Sequence, residues 1–155
     1  MGATRVAALA LFLCAVVRGQ SCGSIAFSDT SAGIAVKADF RFEADFTIEC
    51  WAKSSDLSND PELFYVTASG VIDISSTGGS IFGVSIDDTW HHYAYSRFGS
   101  VTALFIDGAL VTSALVTSTI GSPSSILYIG SAGGAYTWRG AIADFRVVKG
   151  TALYT

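Results

Sequence analysis

Residues 90–110, Trp90-His91-His92-Tyr93-Ala94-Tyr95-Ser96-Arg97-Phe98-Gly99-Ser100-Val101-Thr102-Ala103-Leu104-Phe105-Ile106-Asp107-Gly108-Ala109-Leu110, decide the fold class. They read as two successive hairpins. Gly99-Ser100 can turn the chain. Asp107-Gly108 is a strong hairpin signal, because a type I′ turn needs positive φ at both central residues. Between the turns the pattern alternates with period two. Trp90, His92, Ala94, Ser96 and Phe98 fall on one face, and His91, Tyr93, Tyr95 and Arg97 on the other.

Working outward, the same texture continues in both directions. Phe46–Lys53 alternates, with Phe46, Ile48, Cys50 and Ala52 opposite Thr47, Glu49, Trp51 and Lys53. Further strands are expected at 24–27, 33–36, 63–67, 71–75, 80–86, 110–116 and 125–129, and a long last one at 138–149 bent near Gly140. Ser54–Pro61 reads as a polar loop. No stretch beyond residue 19 has helical periodicity. About ten to twelve short strands at regular spacing predict an all-β, antiparallel two-sheet sandwich.

The chain has 155 residues. Arg5, the apolar run Val6–Val17 and Val17-Arg18-Gly19 form a secretory signal pattern, so residues 1–19 are expected to be removed before Gln20. The run is too short for a membrane span, which needs about 20 apolar residues. The mature chain is therefore expected to be secreted, with no span, as one domain over 20–155. Without Arg5 and Arg18, seven basic and thirteen acidic residues remain, a net charge of −6. That balance, with no basic run, argues against nucleic acid and anionic membranes as partners.

Cys22 and Cys50 stay in the mature chain. An even pair in a secreted chain predicts a disulfide, which would contribute about 3–4 kcal/mol by closing the loop. Intermolecular pairing and two free thiols are the alternatives. Two Cys and two adjacent His do not have zinc spacing, and neighbouring strand residues His91 and His92 cannot chelate one ion together. One histidine is expected under the sandwich and the other at its surface.

Five segments in order carry a family resemblance: Phe46-Thr47-Ile48-Glu49-Cys50-Trp51, Thr89-Trp90-His91-His92-Tyr93-Ala94, Phe105-Ile106-Asp107-Gly108, Leu127-Tyr128-Ile129-Gly130, and Gly140-Ala141-Ile142-Ala143-Asp144-Phe145-Arg146-Val147. Together they resemble the laminin-G-like, concanavalin A-like lectin/glucanase superfamily. The resemblance implies a jelly-roll sandwich and extracellular glycan binding, adhesion or a structural role, although fold does not fix function. The closing segment 148–155 resembles a variant that continues into a Phe- and Pro-rich tail, which implies a truncated chain or one module of a longer protein. Pentraxin relatives have a cysteine placed like Cys50, but their partner cysteine and calcium cluster have no counterpart here.

Some glucanases of the superfamily carry two glutamates and an aspartate on one strand. Glu43, Asp45 and Glu49 approximate that trio, whose two carboxyls must stand about 5–5.5 Å apart across a scissile bond, but the resemblance implies a tighter Glu-x-Asp-x-Glu or Glu-x-Asp-x-x-Glu spacing and the last gap here is too long. The expectation is turn carboxylates plus one surface glutamate, so glycoside hydrolysis is a remote alternative. Asp144 and Arg146 are expected to form a surface ion pair.

For sugar stacking, Tyr136 and Trp138, after a glycine-rich turn, are the best-placed exposed platform, with Trp51 as a further candidate. Trp90 is expected in the core. No cofactor is required by the pattern. Calcium is the one ion a loop could hold, through Asp56, Asn59 and Asp60 with Asp87 and Asp88 as further contributors, although it wants six to eight oxygens and no spacing demands it. The function expected is a secreted, non-catalytic module that binds a glycan or another extracellular partner. The alternative is a structural or adhesion module of a larger assembly.

Overall fold

A computed structural model describes residues 11–12, 23–28, 33–56, 60–67, 72–75, 80–81, 84–85, 87–133 and 135–155. Its strands are β1 (Leu11–Phe12), β2 (Ile25–Phe27), β3 (Ile34–Lys37), β4 (Phe46–Asp56), β5 (Glu62–Val66), β6 (Ile72–Ser75), β7 (Ser80–Ile81), β8 (Val84–Ser85), β9 (His91–Phe98), β10 (Val101–Ile106), β11 (Ala109–Leu115), β12 (Ile126–Ile129) and β13 (Arg139–Lys149). Among the described residues there is no helix, and so none that could cross a membrane.

Two antiparallel sheets form the sandwich. The larger has seven strands in the order β1-β13-β4-β9-β10-β11, with β2 also paired to β13. The smaller has four, in the order β3-β12-β5-β6. Of the expected signal segment only Leu11 and Phe12 fall among the described residues, where they pair with Val147 and Arg146. The single strand expected over 80–86 is instead a small hairpin, β7 with β8. The polar loop begins later than expected, because β4 runs on through Asp56, two residues of which pair with Arg139 and Gly140 of β13.

The aromatic ribbon is the centre of the large sheet. Asp107 (φ 51°) and Gly108 (φ 79°) both have positive φ, as the type I′ turn requires. β9 pairs β10 from Phe98↔Val101 to Ile106↔Tyr93, and β4 pairs β9 from Phe46↔Arg97 to Ala52↔His91. The alternation then sorts side chains by face. Phe46, Ile48, Cys50 and Ala52 of β4, Tyr93 of β9, and Leu104 and Ile106 of β10 enter the core. They meet Phe64, Val66, Leu127 and Ile129 of the small sheet. Phe64 stands edge-to-face on Phe145, ring centres 5.7 Å apart. Each of the buried Phe, Ile, Leu and Val side chains contributes about 1.5–3 kcal/mol by leaving water.

β13 bends where expected. Its register shifts between Arg139 and Gly140, and a Cβ at Gly140 would lie 2.0 Å from the Lys53 carbonyl oxygen, so only glycine allows this approach to β4. A second shift falls between Ala143 and Arg146, with Asp144 at φ 49°. This bulge separates the faces of Asp144 and Arg146, and the expected ion pair between them is replaced by one from Arg146 to Glu49.

Two expectations about cysteine and tryptophan change. Cys50 is a free thiol, fully buried on the core face, while Cys22 lies outside the described residues. Burial first, and the nearby Glu49 charge second, push the Cys50 thiol well above its ordinary value. Trp90 is not in the core but 41% exposed, because it precedes β9 on the side away from Tyr93.

Candidate functional site

The face of the large sheet turned away from the small sheet carries Thr47, Glu49, Trp51 and Lys53 from β4 and His92, Ala94, Ser96 and Phe98 from β9. Residues 150–155 cross this outer face. Thr47 Oγ1 donates to the Thr151 carbonyl (3.2 Å) and accepts the Leu153 N–H (2.9 Å). That covering explains why Thr47 and Ser96 are buried on a face that a two-layer sandwich would leave wet.

Glu49 lies under the same cover, 3% exposed. Arg146 donates to Oε1 through Nε at 2.5 Å and also through Nη2. The Tyr154 hydroxyl donates to Oε2 at 2.6 Å, and His92 Nε2 stands 3.2 Å from Oε2. Burial alone would raise the carboxyl's pKa. The bonds from His92, Tyr154 and Arg146 outweigh it and lower the pKa to about 2. Burial, then the bond to Glu49, push the Tyr154 phenol up to about 12. The expected surface glutamate is therefore a buried, permanently ionised anchor.

From this anchor a ring row crosses the face: Trp51 to His92 (5.3 Å), His92 to Tyr154 (5.7 Å), Tyr154 to Phe105 (5.6 Å). Trp51 is 42% exposed. Its β13 neighbour is Ala143, and Lys53 is flanked by Ala141, so small side chains leave the indole open on that side. Trp90 sits diagonally across from Trp51, since Trp51 pairs with His92; such diagonals span about 7–8 Å. Lys53 links the two sides. Its Nζ lies 5.9 Å from the Trp90 ring centre and 3.1 Å from Asp88 Oδ1. Two half-exposed indoles beside one cation and one carboxylate make an amphipathic platform: apolar faces for stacking, charged heads for hydroxyls.

Of the sequence-expected site residues, the structure places Trp51 here and the others elsewhere. Trp138 is fully buried, its Nε1 donating to the Lys53 carbonyl at 3.0 Å, so it is core and not platform. Tyr136 is exposed, but its loop is held by a bond from the Glu62 N–H of the small sheet (2.7 Å), on the other layer from Trp51. Asp56 is taken by Arg139 Nη1 at 2.5 Å, Asp60 is exposed at φ 49°, and Asn59 lies outside the described residues. Among the described residues no group of three or more His, Cys, Asp or Glu side chains could hold a metal ion.

The glucanase-like trio does not converge either. Glu43 pairs with Arg41 at 3.3 Å, and Asp45 accepts the Gly99 N–H at 2.8 Å. The two histidines are both partly buried and face opposite ways: His92 to the outer face, His91 to a pair of carboxylates. Sequence reading missed Trp90, Lys53, His92, Arg146 and Tyr154. The usable signal was the opposition of Trp51 to Phe46 and Ile48, combined with that of Trp90 and His92 to Tyr93.

Comparison with solved structures gives the same architecture. Domain 4 of AbnA, an extracellular arabinanase from Geobacillus stearothermophilus in complex with arabinotriose, superposes with TM-score 0.67 at 14% identity, over 92% of this chain and 77% of that one. The binding domain of Paraclostridial Mosquitocidal Protein 1 gives 0.61 at 19% identity, over 93% and 43%. Mouse laminin α1 domains LG4-5 give 0.60 at 13%, over 92% and 48%, so this chain spans less than half of each of the last two. No curated protein matches the chain by sequence. The family model of the concanavalin A-like lectin/glucanases superfamily matches residues 28–153, which take in β3 through β13 and the start of the strap, and the chain belongs to that superfamily.

Proposed function

We propose that this chain is a secreted, non-catalytic module that binds carbohydrate on the outer face of its large sheet. The observation that carries the reading is the pair of half-exposed indoles, Trp51 and Trp90, on neighbouring strands with Lys53 and Asp88 at their edge. The arabinotriose bound by the AbnA domain supports the ligand class. The apolar run Val6–Val17 supports secretion. Glu49 supports a non-catalytic role. A general acid needs a proton at working pH, and a carboxyl held near pH 2 by three donors has none to give. Binding is expected to be independent of calcium, since Asp56 is engaged by Arg139.

A glycan array that includes arabino-oligosaccharides tests this, followed by calorimetry on the best ligand with Trp51→Ala, Trp90→Ala and Tyr136→Ala. Each tryptophan variant should weaken binding about 3- to 10-fold, the range of a lost aromatic stack. Tyr136→Ala and added chelator should leave it unchanged. Binding that survives removal of both indoles would refute the platform, and hydrolysis of any bound glycan would refute the non-catalytic reading. The adhesion alternative has its own observation, the contiguous exposed row Phe98, Val101 and Leu115 across β9, β10 and β11.

A further inference from the structure

His91 has no part in the platform, yet both of its ring nitrogens are engaged. Nδ1 lies 2.7 Å from Asp107 Oδ2. Nε2 lies 3.2 Å from Asp87 Oδ1 and 3.1 Å from Thr89 Oγ1. Asp87 Oδ1 also accepts the Thr89 N–H at 2.8 Å and its hydroxyl at 2.5 Å. Asp107 Oδ1 accepts the His92 N–H at 2.9 Å. The other titratable neighbour is Tyr93, whose ring meets His91 edge-on at 6.4 Å and whose phenol burial keeps neutral. Asp88 is turned to Lys53 instead.

A neutral imidazole has one N–H and one lone pair, so it can satisfy one of two carboxylates and repels the other. The imidazolium donates to both. The neutral ring, with Nδ1–H on Asp107, gives up Asp87 and at Nε2 can only accept the Thr89 hydroxyl, so the link to both carboxylates belongs to the charged ring. The bond to Asp107 raises the His91 pKa first; burial opposes it, and Asp87 adds to the rise. Asp107 belongs to the hairpin turn, which the Asp107 N–H fixes further by donating to the His92 carbonyl at 2.8 Å. Asp87 and Thr89 belong to the segment that delivers Asp88 and Trp90. The ring joins the two.

We propose that protonated His91 is a positioning residue, which clamps segment 87–90 to the β10–β11 turn and makes the Trp90 side of the platform dependent on pH. Its consequence for binding rests on the carbohydrate reading; the clamp itself does not. The sign follows from a raised pKa. The clamp is complete below the ordinary histidine value and is lost as pH rises through the raised one.

The test uses the wild-type chain between pH 5 and 9. The His91 ring is titrated by NMR, with hydrogen exchange of the Thr89 and His92 amides corrected for intrinsic rates, and arabinotriose is titrated at each pH. Protection of Thr89, whose acceptor Asp87 loses the ring, should fall about tenfold as the ring loses its proton, the factor for one charge-assisted bond, while His92, whose acceptor Asp107 keeps the Nδ1–H, should fall less. The Leu104 amide in the sheet should not change. His91→Gln should be poorly protected at every pH with no transition, and if that variant does not fold the wild-type titration still decides. Protection that is flat across the His91 titration overturns the clamp. Arabinotriose affinity that stays constant while protection falls overturns its link to Trp90. Absence of arabinotriose binding at every pH counts against the carbohydrate reading alone, and the exchange data then decide the clamp.

Discussion

Replacing Glu49 with Gln isolates the anchor under the outer face. The side chain is 5% exposed and faces Arg146, Tyr154 and His92. A pKa lowered from 4.5 to about 2 means the folded state prefers the ionised form by about 3 kcal/mol, at about 1.36 kcal/mol per unit. Glutamine keeps the shape and one acceptor but loses the charge and points an N–H₂ at donors. Arg146, 38% exposed, can recover part of the loss through water. The expected cost is thus about 2–3 kcal/mol, below the about 3–5 kcal/mol of a fully buried broken pair. Urea unfolding at pH 7 measures it, as a lower midpoint with unchanged slope. The acid limb supplies a second reading. A depressed pKa contributes stability that is present above the unfolded value and lost as pH falls from about 4.5 towards about 2. The wild type should lose that increment over this window and Glu49→Gln should not. A variant within about 0.5 kcal/mol of wild type, with the same acid limb, would refute the anchor.

Gly140→Ala should destabilise by more than about 2 kcal/mol in the same assay, because the new Cβ meets the Lys53 carbonyl oxygen at 2.0 Å and backbone has to move; a neutral result would mean β13 does not approach β4 there. Cys50 should be unreactive to a thiol reagent in the native state, since it is fully buried with a raised pKa, and should react once the chain is unfolded without reductant. A thiol count of zero after unfolding would restore the disulfide.

The sheet architecture was legible because its signals are local. Asp107-Gly108 permits little but a tight hairpin, and period-two alternation around it assigns faces without knowledge of any partner. The site was less legible because its contacts are distant in sequence. Glu49 reads as a solvent-facing strand residue until Arg146 and Tyr154 arrive from 97 and 105 positions away. Trp138 was misread because the turn chemistry before it suggests exposure, and only the Lys53 carbonyl, 85 positions earlier, gives its indole N–H an interior partner. Trp90 went wrong differently. Its face carries both Phe98 and Ser96, so hydrophobicity could not tell core from outside. The Asp144 bulge hid the Arg146 direction for a related reason: one extra residue reverses every later parity in the strand.

The strap formed by residues 150–155 constrains how the protein can be handled. A fluorescent reporter or affinity tag fused directly behind Thr155 would leave the molecule one residue past the phenol that touches Glu49 and His92. That phenol stands in the ring row that reaches Trp51 through His92, so a bulky group there crowds the edge of the proposed glycan surface. A long flexible spacer between Thr155 and whatever is joined to it keeps that surface open in a binding assay.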